Sequence, residues 1–355
     1  MAKMMRAQVF EDIDKITLKE VPVPEISDTE VLIKIKASGI CGTDWSIYKG
    51  DYAYEYLPFI SGHENFGIVV EKGSGVTNVN VGDRVSVDLC MSCGTCYFCR
   101  RGDELLCSNF TCLGIHTDGG FAEYMKAPGK NCYIVPDSIS DYAGAFIEPT
   151  AACVGASKRM DAKISSSLVV IGSGLGIIHA ALGRLRGCAP VILVGRGKKK
   201  LEMAKNAGAD FTIDVNETKD WVAAVLDITD GIGADYILEA VGSIETYEQA
   251  FKALRRGGTL ESFGIPRADA YAQIPPYEFV LGEKKIKGSC AGIGNNWGEA
   301  IRLLEYKRIN PEPMFSMAVP LEELETALHE KKENPNIMKI FVCPEIDKRI
   351  IINPF

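Results

Sequence analysis

The chain has 355 residues, more than one ordinary core organises, so about two or three domains are expected. With 46% hydrophobic and 24% charged residues and no apolar run of about 18, it reads as a globular protein with no membrane span. A net charge of −8 argues against a general nucleic-acid binder, because phosphate rewards a concentration of Lys and Arg.

Residues 1–11 turn charged at once and carry no secretory signal, so the cytoplasm is the expected compartment. Twelve cysteines in such a chain point to metal binding rather than disulfides.

In chain order, Ala7–Phe10, Ile16–Val21 and Val31–Ala37 predict short antiparallel strands of a partly barrel-like start, being β-branched with polar residues interleaved. Gly39-Ile40-Cys41-Gly42-Thr43-Asp44 reads as a turn exposing a thiol, a hydroxyl and a carboxylate, although Cys41 alone also suits a small buried apolar position. Ser61-Gly62-His63-Glu64-Asn65 puts a histidine beside a carboxylate ahead of a strand-like run, Phe66–Val70. Taken locally, that pair suits either a metal or a buried hydrogen bond.

Strands with glycine turns follow over residues 69–87. Cys93, Cys96, Cys99 and Cys107 then have two, two and seven residues between them, a spacing that lets a compact loop wrap four thiolates around one zinc ion. With all four positions taken by sulfur, such an ion is structural. Cys90 falls outside the spacing and is read as a bystander. Residues 119–136 predict more β-structure, and 143–154 a helix with a local break at Glu148-Pro149.

At Leu168-Val169-Val170-Ile171 the pattern becomes a continuous apolar run, as a buried parallel strand requires, leading into Gly172-Ser173-Gly174-Leu175-Gly176 and a helix. Strands at 191–194, 211–215, 236–241, 259–264 and 286–289 alternate with helices at 198–208, 221–227 and 244–255, which defines βαβ units of a doubly wound sheet. The glycine turn places backbone amides and a helix N-terminus where a dinucleotide pyrophosphate binds. The usual spacing puts its third glycine at Ile177; here Gly176 comes one residue early.

At the end of the second strand, Gly195-Arg196-Gly197-Lys198-Lys199-Lys200 holds a small residue and cations where an NAD-binding site holds an acid. Arg196 and Lys200 therefore suit the 2′-phosphate of NADP(H). Helices are expected at 296–307 and 321–330, and strands at 338–342 and 349–352 that rejoin the first domain.

Together, the stretch 39–44, Gly62-His63-Glu64-Asn65, the four-cysteine loop, Glu148-Pro149 and the glycine turn resemble the zinc-dependent medium-chain dehydrogenase/reductase family, in the branch of sorbitol, threonine and secondary-alcohol dehydrogenases. The likeness spans nearly the whole chain and implies an α/β protein. A GroES-like β-rich catalytic domain (1–150 and 289–355) is expected beside a Rossmann doubly wound dinucleotide-binding domain (151–288).

It further implies a catalytic zinc on Cys41, His63 and Glu148, with Glu64 as an adjacent carboxylate able to approach the metal during exchange. Such an ion acts as a Lewis acid on an alcohol or ketone. Thr43 matches a proton-passing hydroxyl and Asp44 a group that orients His63. Ser46 stands where the family often has a relay histidine.

The polyol-binding arginine of sorbitol dehydrogenases is missing from Ser289–Trp297. Trp45, Tyr48 and Phe110 suit either a pocket or the core. The expected protein is an NADP(H)-preferring dehydrogenase with two zinc ions per chain, one catalytic and one structural, acting on a small alcohol, polyol or ketone. A homodimer or homotetramer is implied, with neither nucleic acid nor membrane as partner. The alternatives are a threonine-type amino-alcohol dehydrogenase and, from a different class, a non-catalytic zinc or redox-sensing binder on the same fold.

Overall fold

The computed structural model describes residues 3–354. The chain divides into two compact units: residues 1–148 with 293–305 and 311–355, and residues 149–292 with 306–310. The first division falls inside the helix Ile147–Met160, between Glu148 and Pro149. The expected boundaries at 150/151 and 288/289 lie two and four residues from these divisions, and the short return of 306–310 to the second unit has no counterpart in the sequence reading.

The first unit is β-rich. Met4–Asp12 pairs antiparallel with Lys15–Pro22 and Phe59–Ile60 in a three-stranded sheet. A larger sheet is centred on Glu30–Gly39, which pairs antiparallel with Glu64–Lys72, Tyr124–Pro128 and Lys339–Val342. Strand Phe315–Val319 joins beside Lys339–Val342 in parallel, and Ile350–Ile351 completes that edge.

Sequence inspection gives no strand at Phe315–Val319. All five of its residues are buried, so the alternation that marks a half-buried strand is missing. Its Phe315 stacks edge-on to Phe146 and Phe341 at 5.4 and 4.9 Å between ring centres, in the core of this unit.

Two local readings change. Residues 39–44 are not simply a turn: Cys41 caps the helix Gly42–Tyr48, its backbone N–H donating to Asp44 Oδ2 at 2.7 Å. The helix expected over 143–154 is two, Asp141–Ala145 and Ile147–Met160, with Pro149 in the first turn of the second, where its missing N–H costs nothing.

The second unit is a six-stranded parallel sheet in the order Phe211–Asp214, Val191–Gly195, Leu168–Ile171, Ala234–Glu239, Leu254–Ser262 and Lys285–Gly288. The chain starts at the centre, winds out to one edge and returns to build the other, leaving a topological switch beside Leu168–Ile171, where such sheets bind ligands. Val169, Ile171, Ile192, Val194, Ile237 and Leu260 form its core with Trp221 and Val225 of the helix Trp221–Ile228. The architecture is thus a GroES-like β-rich domain with a Rossmann domain. Among the described residues no helix is long and apolar enough to cross a membrane.

Candidate metal centre and nucleotide turn

His63 follows Gly62, whose φ of +95° suits only glycine and whose added Cβ would lie 2.8 Å from Phe121. That turn feeds the strand Glu64–Lys72 and leaves His63 only 4% exposed. Cys41 approaches from the helix cap, and its sulfur, a His63 ring nitrogen and a Glu64 carboxylate oxygen lie within 4.8 Å of one another. Soft sulfur, imidazole and one carboxylate at that separation fit a zinc ion.

Asp44 is fully buried behind this group. Its Oδ2 takes the Cys41 N–H, while Oδ1 faces His63 Nδ1 at 3.5 Å and lies 3.0 Å from Ser61 Oγ. Burial opposes a charged His63, but Asp44 and then Cys41 outweigh it and raise the imidazole well above its ordinary range. Burial likewise works against the Cys41 thiolate, yet His63 beside it pulls the thiol below its usual value. Thr43 Oγ1 lies 3.7 Å from Cys41 Sγ. Ser46 is three residues farther along the same helix, and its carbonyl accepts the Asp51 N–H at 2.8 Å.

The two carboxylates differ. Glu64 is 1% exposed and both its oxygens accept from Lys339 Nζ, at 2.6 and 2.7 Å. Lys339 and Lys331 also donate to the Ile40 carbonyl. Glu148 lies outside the close three-residue group. Burial first, then the charge of Glu64, pushes its carboxyl up to about 8. The geometry therefore draws Glu64 in with Cys41 and His63, and leaves Glu148 as a buried carboxyl within electrostatic reach.

Lys339 and Lys331 were missed by sequence reasoning. The one available signal is a lysine leading the otherwise apolar Lys339-Ile340-Phe341-Val342, all four residues buried. Of the aromatics considered for a pocket, Tyr48 is buried and donates to Glu325 at 2.9 Å, and Trp45 packs edge-on to His329 at 5.3 Å between ring centres. The Phe110 backbone N–H closes a turn on the Cys107 carbonyl at 3.2 Å, in the four-cysteine loop.

Cys93, Cys96, Cys99 and Cys107 form a second cluster, their sulfurs within 4.8 Å of one another. The Cys93–Cys99 and Cys96–Cys99 sulfur separations of 4.0 and 3.5 Å bracket the edge of about 3.8 Å that a tetrahedron with Zn–S bonds of about 2.3 Å requires. Hydrogen bonds from Thr95 pull Cys93 down to about 5 and backbone donors led by Cys99 bring Cys96 to about 7, while burial and the Cys96 hydrogen bond push Cys99 up to about 12, so two of the four thiols are predisposed to ligate as thiolates. Cys107 Sγ accepts the N–H groups of Cys93 and Asn109, each at 3.3 Å.

In the second unit, residues 172–175 link the strand Leu168–Ile171 to the helix Gly176–Leu185, with Leu175 as its N-cap. Gly172 has φ +115° and space lies open around Gly174. A Cβ on Gly176 would come within 3.1 Å of Val170, so Gly176 supplies the close helix–strand approach that the third glycine normally provides, and Ile177 is simply buried. Gly195 ends the second strand, Arg196 is exposed beyond it, and burial lowers the Lys200 ammonium. Ser173, unassigned from sequence, ties turn to strand: its hydroxyl donates to the Arg196 carbonyl at 2.8 Å and accepts the Arg196 N–H at 3.2 Å.

Residues 27–137 match the alcohol dehydrogenase GroES-like domain and residues 174–306 the zinc-binding dehydrogenase domain. The sorbitol dehydrogenase of Gallus gallus is 32% identical, over 94% of this chain and 95% of its own length. The L-threonine 3-dehydrogenase of Pyrococcus abyssi is 40% identical, over 84% and 86% respectively. A zinc-binding dehydrogenase from Sinorhizobium meliloti bound to NADP superposes with a TM-score of 0.90 at 32% identity, covering 96% of this chain and all of that one. The chain belongs to the zinc-dependent medium-chain dehydrogenase family, and is an oxidoreductase of the alcohol dehydrogenase type.

Proposed function

We propose that this chain is an NADP(H)-preferring, zinc-dependent dehydrogenase that interconverts a small secondary alcohol or polyol and its ketone, in the cytoplasm and as a homodimer or homotetramer. The observation that carries the reading is the convergence of Cys41, His63 and a buried carboxylate with Asp44 packed behind the histidine. Cys41 and His63 would hold the catalytic zinc with Glu148 or Glu64, and the four-cysteine loop a structural one. When bound, zinc would supply Lewis acidity at the substrate oxygen and a nicotinamide cofactor would supply hydride chemistry.

The chain's own residues do the rest. Asp44 faces Nδ1 of His63 and so leaves Nε2 as the ligating nitrogen. Lys339 meets both Glu64 oxygens at a buried position, where burial opposes its ammonium but the charge of Glu64 outweighs burial and raises the group above its ordinary range. Thr43, beside Cys41, would relay the substrate hydroxyl proton outward, accepting it as it gives up its own, and Ser46 lies next along that helix face. Gly172, Gly174, Leu175 and Gly176 give a pyrophosphate an open turn on a helix N-terminus, and Arg196 and Lys200 offer cations to a 2′-phosphate.

Metal analysis and turnover test this together. Two zinc ions per chain are expected, with activity abolished by a chelator and restored by zinc. One zinc bound at the four-cysteine loop and no turnover would support the non-catalytic binder, while full activity in verified metal-free protein would sink the mechanism. For the cofactor, NADPH should bind more tightly than NADH in fluorescence titrations, and Arg196→Asp should erase or reverse the difference. Equal dissociation constants in the unaltered protein would refute the preference.

The 40% identity to an L-threonine 3-dehydrogenase favours a second reading, an amino-alcohol substrate. A screen of polyols, secondary alcohols and threonine with both cofactors separates the two.

A further inference from the structure

Cys90 does not belong to the four-cysteine group, yet it is not isolated. It lies on the short strand Cys90–Met91, which pairs antiparallel with Thr111–Cys112, and the register sets Cys90 directly opposite Cys112. These two strands are the neck of the lobe that carries the four ligand cysteines, since residues 92–110 leave and re-enter through them.

The hydrogen-bond phase of the ladder matters. Leu113 N–H donates to the Leu89 carbonyl at 3.0 Å, so the adjacent Cys90/Cys112 pair is of the non-hydrogen-bonded type. The backbone agrees: Cys90 N–H is spent on Asp88 Oδ1 and Cys112 N–H on His116 Nδ1, each at 2.9 Å. At such a site the Cα atoms are about 4.5 Å apart, inside the range of about 4.4–6.8 Å that a disulfide spans. Both cysteines are buried, at 4% and 5% exposure, and share one face of the ladder.

We propose that Cys90 and Cys112 form a thiol–disulfide site that latches the neck of the four-cysteine lobe when the protein meets hydrogen peroxide. The two thiols are unequal partners. A hydrogen bond from Cys90 brings Cys112 down to about 6 against the effect of burial, with His116 helping, while the same bond and burial push Cys90 upward. Cys112 thiolate attacks a peroxide oxygen, giving a sulfenic acid and hydroxide. Cys90 sulfur then displaces hydroxide from the sulfenic sulfur, and its proton leaves with that hydroxide as water. Two thiols are oxidised and one hydrogen peroxide is reduced to two waters.

The test uses zinc-loaded protein treated with a small excess of hydrogen peroxide, alkylated with N-ethylmaleimide and mapped by mass spectrometry. The expected product is a peptide pair joining Cys90 to Cys112, with zinc retained and dithiothreitol restoring both thiols. Because Arg100 and Arg101 lie between the two cysteines, trypsin cleavage there should leave the halves joined on a non-reducing gel only in the oxidised sample. Cys90→Ser and Cys112→Ser should each lose the link, and either one that folds suffices as the control. The proposal is overturned if Cys90 and Cys112 stay fully alkylatable while the lobe cysteines oxidise and release zinc, or if the halves stay joined equally in the serine variants.

Discussion

Glu64 is almost wholly buried, and Lys339 Nζ meets both of its oxygens. Removing one partner of such a pair leaves a bare buried charge, which costs about 3–5 kcal/mol. Lys339→Met should therefore lower the denaturant midpoint of zinc-loaded protein by that amount of stability, and Lys339→Met with Glu64→Gln should recover most of it. If the double variant is as unstable as the single, the lysine matters for packing and not for the carboxylate. The four spaced cysteines were legible in the sequence from their spacing alone, whereas Cys41 and His63, each compatible locally with an ordinary buried role, were singled out only by the family resemblance of the stretches that hold them. Lys339 was not legible, since 275 residues separate it from Glu64 and nothing local to either names its partner.

A helix or strand is legible when its burial leaves a period. The parallel strands of the second unit read directly as continuous apolar runs, and Leu168-Val169-Val170-Ile171 is buried at all four positions. Phe315–Val319 is buried as completely but has no βαβ rhythm around it, so the same signal there goes unrecognised. What no period reveals is the approach of one element to another. Gly195 ends its strand so close to the glycine turn that a Cβ would fall 2.7 Å from Ser173 Cβ, and Ser173 is the residue that ties the turn to Arg196. Gly195→Ala should push the turn out of register and weaken dinucleotide binding about tenfold, a loss of about 1.4 kcal/mol, with circular dichroism unchanged. Unaltered nucleotide affinity in a folded Gly195→Ala protein would show that the turn absorbs the methyl group without cost.

At the scale of the whole chain, alternation of strands and helices marked out the Rossmann unit, whereas the return of residues 293–305 and 311–355 to the first unit rested only on strand-like patterns near the C-terminus. Among the contacts that join these distant parts of the first unit, the one made by Asp88 ties stability to pH. Asp88 is 3% exposed, and its carboxylate accepts from Cys90 N–H at 2.9 Å and Gly294 N–H at 3.4 Å. Burial outweighs both bonds and raises the carboxyl to about 7. The sign follows: between the ordinary aspartate value near 3.8 and about 7 the folded chain holds a proton that the unfolded chain has lost. Stability from this residue is complete below that window and falls as pH rises through it, by up to about 4 kcal/mol. Asp88→Asn keeps the shape without the titration, so its stability should change less between pH 5 and pH 8 than that of the unaltered protein. Denaturant unfolding at the two pH values measures the difference, and parallel pH dependences would mean that Asp88 stays ionised in the fold, held by its two backbone donors.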